Sequence, residues 1–321
     1  MLVVTRILVT GAFGQIGSEL VPALCEKFGP ENVVALGFRK HPEKMPLGCT
    51  VDFGDVSDRE ALESMVKKYE PDWIFHLAAI LSAAGEKNPA LAWNVNMNGT
   101  YNVFEAAREH SVSRVIVPSS IAAFGPDTPR EKTPNETIER PTTMYGLTKV
   151  AGELLGNYYF SKFGLDVRGM RFPGIISSEA LPGGGTTDYA VEIFYEALKQ
   201  KKYACFLKAD TYLPMMYMPD ALKALLDLAQ APLSSLKHHS DFNVNSMSFC
   251  PADLAAEIKM HIPDFRISYV PDFRQKIADS WPRSLDDSAA RSEWGWKPVF
   301  NLKFMTQKML ERLSTRLNLP Y

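Results

Sequence analysis

Arg6-Ile7-Leu8-Val9-Thr10-Gly11-Ala12-Phe13-Gly14-Gln15-Ile16-Gly17 decides the fold. Five residues of strand character run into three glycines spaced G-x-x-G-x-x-G. Ile16, Leu20, Leu24 and Phe28 then recur every fourth residue, the stripe of an amphipathic helix. Pro22 falls inside that helix, where its missing N–H predicts a local kink. Glycines in this setting allow a tight turn and let backbone N–H groups approach a pyrophosphate at the helix start. Outward from here the rhythm repeats. Strands are predicted at Asn32–Leu36, Thr50–Asp52, Asp72–Ala78, Arg114–Val117 and Leu165–Arg171. Helices are predicted over 57–69, with Ser57 and Glu60 as a capping box, over 96–109 and over 144–162. Such alternation predicts an α/β protein built on a doubly wound parallel sheet. After residue 175 the rhythm breaks at Gly183-Gly184-Gly185, and a less regular region rich in Pro and Trp follows. The division expected is 1–175 for a nucleotide-binding unit and 176–321 for a smaller substrate-binding lobe, with segments around 212–245 returning to the first.

Composition removes several functions. The 321 residues carry 35 basic and 37 acidic side chains, a net charge of −2, so no electrostatic footprint points to nucleic acid or an anionic membrane. The cysteines, Cys25, Cys49, Cys205 and Cys250, include no C-x-x-C pair, which speaks against a disulfide framework and a thiolate zinc site. No histidine pair has helical ligand spacing, and no metal is expected. No apolar run approaches the roughly 20 residues that span a bilayer, and strand-like sequence begins too early for a secretory signal. The expectation is a soluble intracellular protein, with cytoplasm and mitochondrial matrix left open.

Two further signals carry chemistry. Tyr145 and Lys149 lie four apart on one helix face, where an ammonium favours the phenolate and lowers a tyrosine pKa that starts near 10. Ser119-Ser120 ends a strand at its carboxyl edge, where ligands bind in open α/β sheets. Each signal is common alone; glycine loop, strand-end serine and Y-x-x-x-K in this order are far more specific.

With these motifs the chain resembles the extended branch of the short-chain dehydrogenase/reductase superfamily, whose nucleotide-binding part is a Rossmann fold. The resemblance spans nearly the whole chain, and adds Asp55-Val56, His76-Leu77-Ala78-Ala79, Asn96-Met97-Asn98-Gly99-Thr100, Arg171-Phe172-Pro173-Gly174 and Trp294-Gly295-Trp296. Within that branch it is similar to the metal-independent L-threonine 3-dehydrogenases. That likeness rests on Gln15-Ile16, Leu81-Ser82-Ala83, Gly183 to Ala190 and Ser280 to Ser288. The resemblance implies NAD as cofactor, a homodimer formed through the 96–109 and 144–162 helices, and oxidation of L-threonine to 2-amino-3-oxobutanoate. It implies Ser120, Tyr145 and Lys149 as catalytic residues, the spacing from Tyr145 selecting Ser120 over Ser119. It places Gly11, Gly14, Gln15, Ile16 and Gly17 at the pyrophosphate, and Asp55 and Val56 at the adenine. Leu77, Ala78 and Ala79 follow along the ribose path, Ile175 lies by the nicotinamide, and Asn96 supports cofactor or proton relay. Ser82, Ser120, Tyr145, Thr186 and Trp281 face the substrate, and backbone N–H groups of the 183–185 loop are expected on its carboxylate.

One departure stands out. The superfamily commonly ends its second strand with an acidic residue that binds the adenosine ribose; here Gly37 occupies that place, followed by Phe38, Arg39 and Lys40. Arg39 and Lys40 are suited to a 2′-phosphate, whereas Phe38 and Arg39 equally suit the flank of adenine; the sub-family resemblance favours NAD. His76 reads as a satisfied core histidine, Trp294 and Trp296 as anchors of the C-terminal segment, and Asp286-Asp287 as a helix N-terminal carboxylate pair. The alternative on this scaffold is a nucleotide-sugar epimerase or dehydratase. A non-enzymatic nucleotide sensor would have little use for Ser120, Tyr145 and Lys149 together.

Overall fold

The computed structural model describes residues 6–38, 47–181 and 183–320. The first glycine segment forms as expected: β1 (Ile7–Thr10) is buried throughout, and α1 (Gly17–Phe28) turns Leu20, Val21 and Leu24 inward. The helix continues across Pro22, whose ring lies on the exposed face. Next come β2 (Val33–Gly37), β3 (Thr50–Phe53), α2 (Arg59–Tyr69) and β4 (Trp73–His76). The cap of α2 is Asp58, which accepts from Ala61 N at 3.1 Å, and not Ser57. Ser57 is held instead by the Asp55 carboxylate at 2.7 Å, so the helix starts one residue later.

Short helices α3 (Ser82–Lys87) and α4 (Pro89–Trp93) lead through a π turn at Asn94–Asn98 into α5 (Gly99–Glu109). The helix expected from residue 96 is therefore split, and the wider turn holds Asn96 inside the protein. There follow β5 (Arg114–Ile116), β6 (Ser119–Ser120), α6 (Met144–Phe163), β7 (Asp166–Arg168), β8 (Met170–Phe172) and β9 (Gly174–Ile176). The single strand expected over Leu165–Arg171 is two, β7 and β8, in different sheets. Gly169 makes the break: a Cβ there would lie 2.6 Å from the Val117 and Ser240 carbonyl oxygens.

The main sheet is parallel throughout, in the order β3-β2-β1-β4-β5-β7. Strand order reverses between β1 and β4, where crossovers leave toward opposite faces and open a crevice at the carboxyl edge. The remaining elements are α7 (Tyr189–Gln200), β10 (Lys202–Cys205), β11 (Leu213–Tyr217), α8 (Met218–Gln230), β12 (Phe242–Asn243) and β13 (Met247–Phe249). They continue with α9 (Pro251–His261), β14 (Arg266–Tyr269), α10 (Arg274–Ala278), α11 (Ser288–Trp294) and α12 (Leu302–Leu317). Small sheets β12-β8-β6 and β13-β11-β9 extend the crevice wall. One core packs α1 and β1 against Met216 to Ala231, Phe242, Val244 and Trp296. A second gathers α7, α9 and α12 around Trp281 and Leu285.

Trp296 is 2% exposed and donates its indole N–H to Asn245 O at 3.1 Å, anchoring the C-terminal segment as expected. At the start of α11 Asp286 accepts from Ser288 N, while Asp287 pairs with Arg291 one turn on. Trp296→Ala should cost about 3–5 kcal/mol, read as a lowered urea midpoint. An unchanged midpoint would show that the anchor contributes nothing.

Candidate active site

Gly11 turns the chain at the end of β1 with φ +66°. A Cβ there would stand 2.6 Å from the Ala78 backbone nitrogen, so glycine alone lets this turn press against the end of β4. No side chain caps the N-terminus of α1, which leaves the positive end of its dipole for an anion. Two adjoining clefts open here. One, of about 230 Å³, runs from Gly11, Gly14, Gln15, Ile16 and Gly17 past Leu77 and Ala79 to Ser82, Ser120, Tyr145, Lys149, Ile175, Thr186 and Trp281. The other, about 620 Å³, shares Gly11 and Gly14 and is lined by Phe38, Asp55, Val56, Leu77, Ala78 and Ala79. Gln15 ties the two halves of the chain across the first cleft, donating to Ile175 O at 3.3 Å. An uncapped helix start between a long groove and a reactive end fits a dinucleotide laid across the sheet edge.

The residues singled out in the sequence thus line one cleft or the other, with three exceptions. Arg39 and Lys40 lie outside the described residues. Asn96 lines neither cleft. Its amide accepts from Ile80 N at 2.8 Å and donates to Ile80 O and Thr148 Oγ1, both at 3.1 Å, so it clamps the chain after β4 to α6.

At the reactive end, Thr143 caps α6 and sets Tyr145 in its first turn, with Lys149 one turn on. The Tyr145 hydroxyl hydrogen-bonds with Ser120, whose Oγ also accepts from Ala122 N at 3.2 Å. Lys149 Nζ lies 5.3 Å from the Tyr145 ring centre and donates to Pro118 O at 2.7 Å. Burial dominates both groups. It pushes the phenol up to about 12 against the pull of the Ser120 bond, and brings the ammonium down to about 8 against the pull of Glu153. The lowered tyrosine pKa expected from the lysine is therefore not a standing property of the site, because desolvation outweighs it.

His76 donates and accepts between Thr10 Oγ1 at 2.7 Å and Thr100 Oγ1 at 3.2 Å, and burial holds it neutral, with a pKa of about 3. It is a satisfied core histidine. Thr186 Oγ1 is buried at the cleft with no hydrogen-bond partner. The backbone N–H groups of Gly184 and Gly185, expected on a substrate carboxylate, are instead taken by Asp188 Oδ2 at 2.7 and 2.6 Å. Burial raises the pKa of that carboxyl, and it lines the cleft. Sequence reasoning missed Asp188, three residues past the glycines, because it looks like any acid at a helix start. Phe13 was missed too: it is a variable position of the glycine motif, yet a Cβ on Gly37 would lie 2.0 Å from its ring. Phe13 thus fills the place of the absent acidic side chain. Among the described residues no group of three or more His, Cys, Asp or Glu is arranged to hold a metal, and no helix is long and apolar enough to cross a membrane.

Residues 7–244 match the NAD dependent epimerase/dehydratase family. The chain belongs to that family. It is 47% identical over 306 residues to the mitochondrial L-threonine 3-dehydrogenase of Bos taurus, covering 95% of this chain and 82% of that one. Among solved structures, L-threonine dehydrogenase from Clostridium difficile is 50% identical with a TM-score of 0.95, covering 98% of each chain. A monomeric L-threonine 3-dehydrogenase from a metagenome is 48% identical with a TM-score of 0.94, covering 98% of this chain and 100% of the other. The cofactor is NAD, as the family and these relatives imply.

Gly37→Asp alone should weaken dinucleotide binding, because the carboxylate must displace Phe13. Phe13→Ala combined with Gly37→Asp should recover affinity and sharpen the preference for NAD over NADP. Fluorescence titration with both reduced cofactors checks this; a single variant that binds as well as the parent would show that Phe13 yields freely.

Proposed function

We propose that the protein oxidises L-threonine at its β-carbon with NAD, giving 2-amino-3-oxobutanoate. The observation that carries this reading is the full-length likeness to L-threonine dehydrogenases at 47–50% identity, joined to the Ser120–Tyr145–Lys149 grouping at one cleft end. In this reading Tyr145 accepts the proton of the β-hydroxyl and Ser120 holds the same oxygen. NAD, when bound, accepts the β-carbon hydride at its nicotinamide. Lys149 and Tyr145 titrate as a pair: once the pair has lost one proton, transfer from phenol to amine leaves a phenolate beside an ammonium. Turnover should therefore rise with pH through the region near 8 rather than near 12.

The substrate end suits a small zwitterion. Among the described residues lining this cleft, Lys149 is the one cationic side chain, and no cluster of Arg and Lys suited to a sugar diphosphate stands there. In this reading the free Thr186 hydroxyl and Ser82 receive the substrate carboxylate and Asp188 its ammonium, all three lining the cleft. Trp281 closes the far wall against the methyl group. We divide the chain into a cofactor unit, 1–175 with the 212–245 segment, and a substrate lobe made of the rest of 176–321.

NADH formation across L-threonine, D-threonine, L-serine, 2-butanol and UDP-glucose tests the assignment. L-threonine should be the best of these, and Tyr145→Phe should lose about 10²–10⁴-fold in kcat while still binding NAD. A better rate with any other compound refutes the substrate, and a Tyr145→Phe loss under roughly tenfold refutes the base.

A homodimer through α5 and α6 is part of the proposal. Tyr101, Leu147, Leu154, Tyr158 and Phe163 are exposed on those helices, an apolar face that a second copy would cover. Sedimentation should give a dimer that Leu154→Arg dissociates; a monomeric parent, as its metagenomic relative is described, would refute it.

A further inference from the structure

The reaction releases one proton per hydride transferred, and the site just described does not by itself show where that proton goes. Tyr145 and Lys149 face the cleft that cofactor and substrate would fill, and the carbonyl that Lys149 touches, Pro118 O, is no proton acceptor. Behind Lys149 lies a second, small cavity lined by His76, Asn96, Thr148, Ser119, Lys149 and Glu153. Polar side chains stand in its wall, and it is large enough for a water. Glu153 stands one turn beyond Lys149 on α6 and is buried.

Glu153 belongs to a charged cluster that no step of the mechanism uses. Arg171, 2% exposed, donates Nε to both Glu153 oxygens at 3.1 Å and Nη2 to Glu153 Oε2 at 2.7 Å. The same Nη2 donates to Glu139, and Nη1 donates to Asn135 O at 2.6 Å and Asn243 Oδ1 at 3.3 Å. Ser119, next to Ser120 on β6, donates its hydroxyl to Glu153 Oε1. Asp241 adds a third carboxylate, with one oxygen buried and unpartnered. One guanidinium therefore faces Glu139, Glu153 and Asp241, with Lys149 and neutral His76 across the cavity. A buried cluster with this excess of carboxylates is stabilised by holding a proton.

We propose that the Glu153–Arg171–Glu139 cluster is the proton outlet of the active site: the proton taken at Tyr145 passes by Lys149 and the internal cavity to Glu153, and leaves to solvent through Glu139. The inference rests on the Tyr145–Lys149 reading above. The balance is complete. The substrate O–H breaks and the Tyr145 O–H forms; the hydride pair goes to NAD; the Lys149 ammonium gives a proton to a Glu153 oxygen, the Tyr145 proton moves to the amine so left and restores the phenolate–ammonium pair, and Glu153 returns to carboxylate as one proton reaches solution by Glu139 per NADH. Glu139 is suited to the last place. Its side chain is 17% exposed, against 4% for Glu153, and burial beside Glu153 raises its pKa to about 7. Glu153 touches neither substrate nor reacting atoms; it is a positioning residue that acts through Lys149.

The test needs no substrate. NAD binding brings positive charge beside Lys149 and should drive its proton into the cluster and out. An indicator dye in weak buffer, followed by stopped flow, should detect proton release on NAD binding, with a rate reduced at least fivefold in both Glu139→Gln and Glu153→Gln. Thermal unfolding and NAD affinity confirm that each variant is folded; Glu139→Gln, at the less buried end, keeps the test available where Glu153→Gln does not fold. Release as fast as the parent's in a folded variant overturns the proposal. In turnover, Glu139→Gln should lower kcat about tenfold below pH 8 and little above it, with KM unchanged. A uniform fall across pH would mark a structural role and also overturn it. A wrong substrate assignment would leave the dye signal unaffected, so the two failures are distinguishable.

Discussion

The close approach of Gly11 to the backbone of Ala78 is the constraint on which the site depends. With no side chain between them, the β1–α1 turn and the end of β4 meet at the point where strand order reverses. That contact sets the uncapped start of α1 beside Leu77 and Ala79, and both clefts share it. His76 reinforces the junction by bridging Thr10 on β1 to Thr100 on α5, and burial keeps the ring neutral so that no charge disturbs the groove. Gln15 carries the same geometry across to Ile175, joining the glycine turn to β9 and hence to the second half of the chain. A groove whose walls come from both halves is positioned by that one glycine turn.

Buried charge organises the reactive end in a different way. Arg171 on β8 gathers Glu153 from α6 and Glu139 from the loop ahead of it, while Ser119 on β6 binds the same Glu153. The strand that bears Ser120 and the helix that bears Tyr145 and Lys149 are thereby fixed to each other. Removing one partner from such a set leaves an uncompensated charge in a low-dielectric interior, commonly a loss of about 3–5 kcal/mol. Hydrogen bonding and desolvation pull in opposite directions here, and desolvation prevails at Tyr145, Lys149 and Glu139. The result is an amine and a carboxyl, Lys149 and Glu139, able to exchange protons near neutral pH where isolated lysine and glutamate would not, beside a phenol held protonated.

The sequence by itself determined the parallel sheet, the glycine turn and the helix that carries Tyr145 and Lys149 on one face, because these depend on local periodicity and on residues at fixed offsets; Ser120 was singled out through the family resemblance. Asp55, Val56, Leu77, Ile175, Thr186 and Trp281 were legible through the family resemblance, and the fold brings them to the clefts. Smaller misreadings had local causes. An Asp55 turn claimed Ser57 and moved the helix start, and the crowding at Gly169 broke one strand into two. What only the tertiary structure decided is which partners meet across long separations. Phe13 fills the space beside Gly37, Asp188 occupies the N–H groups of Gly184 and Gly185, and Asn96 clamps Ile80 to Thr148. The proton affinities of Tyr145 and Lys149 follow from burial, which residue spacing along a helix does not encode: the four-residue offset puts the ammonium near the phenol, but the packing around both sets which effect wins.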